Sequence, residues 1–169
     1  MLPNGVETLK KAGGKQDEEW MLKALSEARA AEATGEVPVG AILVSADGEL
    51  LARAGNRTLA DCDPTAHAEI LALREAARSV ANHRLTDAVM YATIEPCAMC
   101  AGALVQARIR RLVFGAPDEK AGAVISQFRI CDASSLNHRI EITSGVLEDD
   151  CRVVMQEFFR KRRKAEIRG

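Results

Sequence analysis

Two short stretches hold the residue types needed for metal chemistry: Asp63-Pro64-Thr65-Ala66-His67-Ala68-Glu69 and Glu95-Pro96-Cys97-Ala98-Met99-Cys100. On a helix advancing ~100° per residue, Cys97 and Cys100 fall about 60° apart on one face, so both sulfurs can reach one ion. A helix start also puts positive end potential beside the thiols, which favours the thiolate form a metal requires. His67 adds a neutral ring nitrogen. One nitrogen and two sulfurs leave the fourth position of a tetrahedral ion open for water, the mark of catalytic zinc. Glu69 then offers a carboxylate that can move protons without binding the ion. Residues two apart inside a regular helix point about 200° apart, so His67 and Glu69 converge only if His67 stands at an irregular helix entrance.

Each piece has a plainer reading by itself. A lone Cys-x-x-Cys also serves redox chemistry or a structural zinc, a histidine at a helix start is often a cap or a packed side chain, and a glutamate in a first turn answers the helix dipole. Together they favour catalytic zinc. Thioredoxin-like chemistry has no need of His-x-Glu, and a closed structural site needs a fourth ligand, for which His83 and His138 are the only other histidines. His83, in Asn82-His83-Arg84-Leu85, reads as part of a helix-to-strand connection. Cys62, Cys131 and Cys151 have no close partner in sequence and read as small core or incidental residues.

The elements that must position these groups follow from periodicity. Trp20, Met21, Ala24, Leu25 and Ala28 make one apolar helical stripe that ends near Gly35. Val37 to Val44 is a continuous β-branched run, Asp47-Gly48 a turn, and Glu49 to Ala54 a returning strand: a hairpin whose first strand is buried on both faces. Asp63-Pro64 predicts a helix start running through Ile70, Leu73 and Ala77 to about Val80. A strand at Ala88 to Ile94, a helix opened by Pro96 and ending about Ala107, and a strand at Arg111 to Gly115 complete a strand-helix-strand series. Such a series implies right-handed crossovers and a parallel sheet portion covered by helices. Ala121 to Gln127 fits either a loop or a short helix, and Asp149 to Lys164 reads as a long helix with a basic tail. Residues 1–16, Gly- and Lys-rich without apolar periodicity, are expected to be a flexible extension, and residues 17–169 a single domain.

Composition sets the class. The 169 residues are 47% hydrophobic and 28% charged, as in an ordinary globular domain. No apolar run approaches the ~18 residues of a membrane span, the first residues lack a basic start with an apolar core, and five cysteines make no disulfide framework, so no membrane and a cytoplasmic location are expected.

Beyond the two metal stretches, His67-Ala68-Glu69 with Pro96-Cys97-x-x-Cys100 resembles the signature of the zinc-dependent nucleobase and nucleoside deaminases. Further motifs narrow the resemblance: Gly55-Asn56-Arg57, the run Tyr91 to Ala107, Phe114-Gly115-Ala116-x-Asp118-x-Lys120-x-Gly122-Ala123, Leu136-Asn137-His138-Arg139, and Phe158-Phe159-Arg160-x-Arg162-Arg163. Over roughly Glu19 to Lys164 the chain is similar to the bacterial tRNA-specific adenosine deaminases. The resemblance implies an α/β, three-layer α/β/α cytidine-deaminase-like fold with a mixed, mostly parallel central sheet. It also implies a homodimer, one Zn2+ per subunit, and hydrolytic conversion of the wobble adenosine of a tRNA anticodon stem-loop to inosine. By matching position it gives His67, Cys97 and Cys100 as metal ligands and Glu69 as general acid/base. Asn56 and Val37 would line the base pocket with the Ala68 backbone beside it, and Asp118, Asn137, Phe158 and Arg163 would meet flanking nucleotides and backbone.

On their residues alone, Asn56 suits an Asx-type turn as well as a purine edge, and Asp118 suits a cap. Phe158 and Phe159 suit the core before they suit a base. Two other functions compete: a deaminase of a free nucleobase or nucleoside of guanine or cytosine type, and a zinc-bound RNA-binding scaffold without activity. A basic tail argues against the first, and Glu69, which nothing structural requires, against the second. The overall charge of -1 is segregated: residues 152–169 carry seven Lys or Arg against two Asp or Glu, a net +5, and the rest of the chain is -6. That polarity suits a protein that grips one short RNA loop.

Overall fold

The computed structural model describes residues 10–11 and 14–168. Its elements are β1 (Lys10–Lys11), α1 (Lys15–Ala33), β2 (Gly40–Val44), β3 (Leu50–Gly55), α2 (Ala68–Ser79), β4 (Val89–Ile94), α3 (Ala98–Ala107), β5 (Arg111–Ala116), β6 (Glu141–Ser144) and α4 (Glu148–Arg168). The six strands lie in the order β1-β6-β5-β4-β2-β3. Pairing is parallel from β1 through β4 and antiparallel between β4 and β2 and between β2 and β3. The sheet is therefore mixed and mostly parallel.

Alternation along the central strands builds two cores. Leu43, Met90, Leu112 and Phe114 face one side, where α2 and α3 supply Ala72, Leu73, Ala101 and Leu104. Ile42, Tyr91 and Val113 face the other, where α1 and α4 supply Met21, Leu25, Cys151 and Val154. Because side chains point to opposite faces at every step, a strand covered on both faces must be apolar throughout, which is why β2 and β4 are buried at every position. Three layers result, as expected.

The helix α1 approaches β2 so closely that a Cβ at Gly40 would lie 1.9 Å from the Ala24 carbonyl oxygen, a backbone atom that cannot rotate away. Gly40→Ala is therefore expected to destabilise the fold by about 1–3 kcal/mol or more, read as a lowered midpoint in urea at unchanged slope.

Several expectations are corrected. The segment 63–67 is a turn rather than the start of α2: Asp63 accepts from the Thr65 N–H at 2.7 Å and the Thr65 hydroxyl at 2.6 Å, so it caps a local turn, and the helix begins five residues later. Of the two readings open for Ala121 to Gln127, loop and short helix, the structure has the first, a run of turns. β6 has no forerunner in the sequence reading; four residues with Thr143 in the middle give little periodicity. Of the expected extension at 1–16, residues 1–9, 12 and 13 lie outside the described residues, Lys10–Lys11 pair with β6, and α1 already begins at Lys15.

Candidate active site

One end of the sheet gathers every segment the site requires. Register pairs Gly40 at the entrance of β2 with Gly55 at the exit of β3, and Ile94 at the exit of β4 with Ala116 at the exit of β5. Val37, Asn56, Glu95 to Cys100, and Asp118 therefore leave or enter the sheet at the same end.

Two helix N-termini point into this space. His67 is the N-cap of α2 and Cys97 the N-cap of α3, both in extended backbone, and Cys100 sits in the first turn of α3. The extended conformation at His67 supplies the irregular entrance that convergence with Glu69 demands. His67 Nδ1 lies 3.7 Å from Cys97 Sγ and 3.6 Å from Cys100 Sγ. The three ligand atoms all fall within 4.8 Å of one another. A nitrogen and a sulfur bound to one tetrahedral zinc lie about 3.6 Å apart, so the spacing fits that ion.

The two thiols are pushed apart in acidity. The Cys100 thiol hydrogen-bonds to Cys97, and with His67 alongside it lowers Cys97 to about 3. The same thiolate, together with burial, pushes the Cys100 thiol far up. Hydrogen bonding to Cys97 raises His67, against the opposing effect of burial. A cation at the centre of the three would relieve both the excess charge and the shared proton.

Glu69 is 3% exposed, and burial raises its carboxyl. Its Oε2 has no hydrogen-bond partner among the described residues, an expensive condition for a buried oxygen unless a reacting group uses it. It stands beside the ligand triad without joining it. The arrangement would let this carboxylate move a proton without holding the ion.

Asn56 lies at the same end of the sheet and is buried. Its Oδ1 accepts the Ala68 N–H at 2.9 Å, so the side chain spans from the exit of β3 to the first turn of α2 instead of closing an Asx-type turn on its own loop. With the acceptor committed, the Nδ2 donor is the end of the amide left over. The Ala68 N–H, expected beside the base, is itself taken by Asn56. Val37 is half-buried at the mouth of β2.

The outer candidates divide. Asn137 and Arg163 are exposed. Asp118 is half-buried, and its Oδ1 accepts from the Lys120 and Ala121 N–H groups, so it caps a turn as its sequence context allowed. Phe158 is 6% exposed, whereas its edge-on neighbour Phe159 is 40% exposed. The packed ring is thus Phe158 and the exposed one Phe159, which a helix turns about 100° apart. His138 reaches the Ile109 carbonyl oxygen at 2.7 Å and anchors the Asn137 loop. His83 is exposed, in keeping with a structural connection.

One residue escaped the sequence reading. Glu36, 1% exposed, accepts from the Thr58 hydroxyl and the Leu59 and Ala60 N–H groups at 2.9–3.0 Å, and so folds the loop between Asn56 and His67. A single carboxylate before Val37-Pro38 carries no periodic signal; only the tertiary structure shows what it holds.

This geometry can be set beside known proteins. The model of the MafB19-like deaminase family matches residues 15–163. The chain belongs to the MafB19-like deaminase family. Among its relatives, the tRNA-specific adenosine deaminase of Haemophilus influenzae is 49% identical over 148 residues, covering 88% of this chain and 86% of the relative. The tRNA-specific adenosine deaminase of Bacillus subtilis is 44% identical over 149 residues, covering 88% and 92%. A structure from biochemical and structural studies of A-to-I editing by tRNA:A34 deaminases at the wobble position of transfer RNA superposes with a TM-score of 0.78 at 46% identity, covering 80% of this deaminase and 98% of that chain. A structure of NE0047 in complex with 2,6-diaminopurine is more distant, with a TM-score of 0.71 at 29% identity over 84% of this deaminase and 80% of that chain. The fold is thus the cytidine-deaminase-like one that the motifs implied.

Proposed function

We propose that this deaminase converts adenosine to inosine at the wobble position of a tRNA anticodon stem-loop, hydrolytically and with one Zn2+ per subunit. The observation that carries the reading is the triad of His67, Cys97 and Cys100 at zinc-ligand spacing beside the buried, unpartnered oxygen of Glu69. Relatives at 44–49% identity named tRNA-specific adenosine deaminase support the substrate.

When bound, zinc supplies a Lewis acid that lowers the pKa of water from 15.7 toward ~7. The chain does the rest. Glu69, its carboxyl raised by burial, takes one proton from water as the water oxygen adds to C6 and passes it to N1. It then takes the proton of the new C6 hydroxyl and passes it to the exocyclic nitrogen, so that the C6–N bond breaks and ammonia leaves. Asn56 presents its Nδ2 donor to the base edge and fixes the first turn of α2, so base and Glu69 are held by one side chain. The adenosine reaches this depth only by leaving the stack of its loop, which requires the loop to be gripped outside the pocket. Arg160 to Lys164, exposed at the end of α4, supply cations for that grip. Arg163→Ala is expected to weaken stem-loop binding and to reduce the slope of log affinity against log salt by about 1, measured by titration at several salt concentrations.

A homodimer fits the exposed side of α3: Ala101 is in the core, but a Cβ at Gly102 would meet no atom within 4 Å. A cytoplasmic location fits the tRNA substrate. The deciding experiment is incubation with candidate tRNAs followed by sequencing. Adenosine should read as guanosine at the wobble position, and ammonia release from free guanine or cytosine with no turnover of any stem-loop would replace this reading by the free-base alternative.

A further inference from the structure

We propose that Glu95 is the positioning residue for substrate: it fixes the 117–126 loop, and with it Asp118, against the metal ligands. This rests on the reading of Asp118 as a contact to the RNA.

The loop between β5 and β6 has no regular structure where it passes the site, so something other than a ladder must hold it. Glu95, 3% exposed, stands two residues before the ligand Cys97. Its Oε1 accepts the N–H groups of Val124, Ile125 and Ser126 at 3.1, 2.7 and 2.9 Å. Its Oε2 accepts the Asp118 N–H at 3.1 Å and the Ser126 hydroxyl. One carboxylate thus gathers donors from both ends of the loop.

The backbone beside it completes the join. The Ala123 N–H donates to the Pro96 carbonyl oxygen at 2.8 Å, and Cys97 and Gly122 form an isolated antiparallel bridge. At Gly122 a Cβ would lie 2.4 Å from the Glu95 carboxylate, so only glycine lets the loop come this close. Metal ligands and substrate loop form one hydrogen-bonded body, and displacement of the loop would move Asp118 while leaving Cys97 on α3. Charge-assisted bonds to backbone N–H groups are strong and directional, and suited to set a loop to within fractions of an ångström.

The two oxygens allow a sharp test. In Glu95→Gln the remaining carbonyl oxygen can keep the three N–H groups that Oε1 serves, while the amide nitrogen at the place of Oε2 meets the Asp118 N–H donor against donor. Hydrogen exchange on the zinc-loaded protein should then show the Asp118 amide faster by about 10-fold or more, with Val124, Ile125 and Ser126 within about 2-fold of wild type. Glu95→Ala should release all four. On the anticodon stem-loop, Glu95→Gln should raise KM about 10-fold with kcat within about 2-fold and bound zinc unchanged.

An unchanged Asp118 amide in Glu95→Gln overturns the assignment, as does a loss confined to kcat, which would place Glu95 in the chemistry instead. Gly122→Ala, which pushes the loop off the carboxylate from the other side, must reproduce the KM increase. If wild type turns over a free base but no stem-loop, the tRNA reading falls by itself, and the exchange pattern still decides whether Glu95 holds the loop.

Discussion

Glu69→Gln is expected to lower kcat by about 10²–10⁴-fold while leaving bound zinc and the fold intact. The side chain keeps its size and loses only its capacity to carry a proton. It is not one of the three ligands, so metal content should stay at one per subunit. Stability should hold or rise, because an amide in place of a carboxylate removes the cost of burying a charge that burial already drives toward its neutral form. Single-turnover kinetics with metal analysis and thermal unfolding checks all three. Deamination at the wild-type rate would show that some other group moves the protons and would end the proposed role of Glu69.

Removal of zinc should abolish turnover and loosen the fold together. His67, Cys97 and Cys100 belong to the first turns of α2 and α3, so an ion among them ties two helices that meet otherwise through side-chain packing. A ligand that binds only the native state stabilises by about 4.1 kcal/mol at 1,000 times its dissociation constant. Chelation should therefore lower the unfolding temperature, and added zinc should restore both stability and activity. His67→Ala should resist that restoration.

The sign of the pH dependence follows from the thiols. Cys97, lowered to about 3, is already a thiolate at neutral pH, while Cys100 is pushed up by it and must lose its proton when the metal binds. Zinc binding should release at least one proton at neutral pH, from Cys100 and from the protonated fraction of His67, and affinity should fall with acidification as protons compete for the same atoms. Calorimetry in buffers of different ionisation enthalpy reads the proton count. Release of none would mean that Cys100 is not a ligand.

The three ligands and Glu69 were legible because their chemistry is stated by residue type and short spacing: a Cys at positions three apart, and a His two before a Glu, need little context to suggest one ion and one proton carrier. β2, β4 and β5 were legible for a different reason, since double-sided burial forces long apolar runs that no surface element shows. Where local signals competed, they misled. Asp63-Pro64 has the composition of a helix start, yet Thr65 satisfies the Asp63 carboxylate locally and the helix waits until Ala68. Phe158 and Phe159 are chemically identical neighbours, and only the rotation of α4 against the body buries the first and exposes the second.

By itself, then, the sequence determined the proposed donor set and the carboxylate beside it, the layered α/β class and the segregation of positive charge into the last helix, because each is a property of residue identity or period. The tertiary structure decided which groups meet. Asn56 bonds to Ala68 twelve residues on, Glu36 to Leu59 and Ala60, and Glu95 to Asp118, 23 residues later. Such bonds join one carboxylate or amide to backbone N–H groups, which every residue but proline possesses, so no residue type along the chain announces the partner. Only folding, which brings the strand ends to one edge of the sheet, makes these pairs specific.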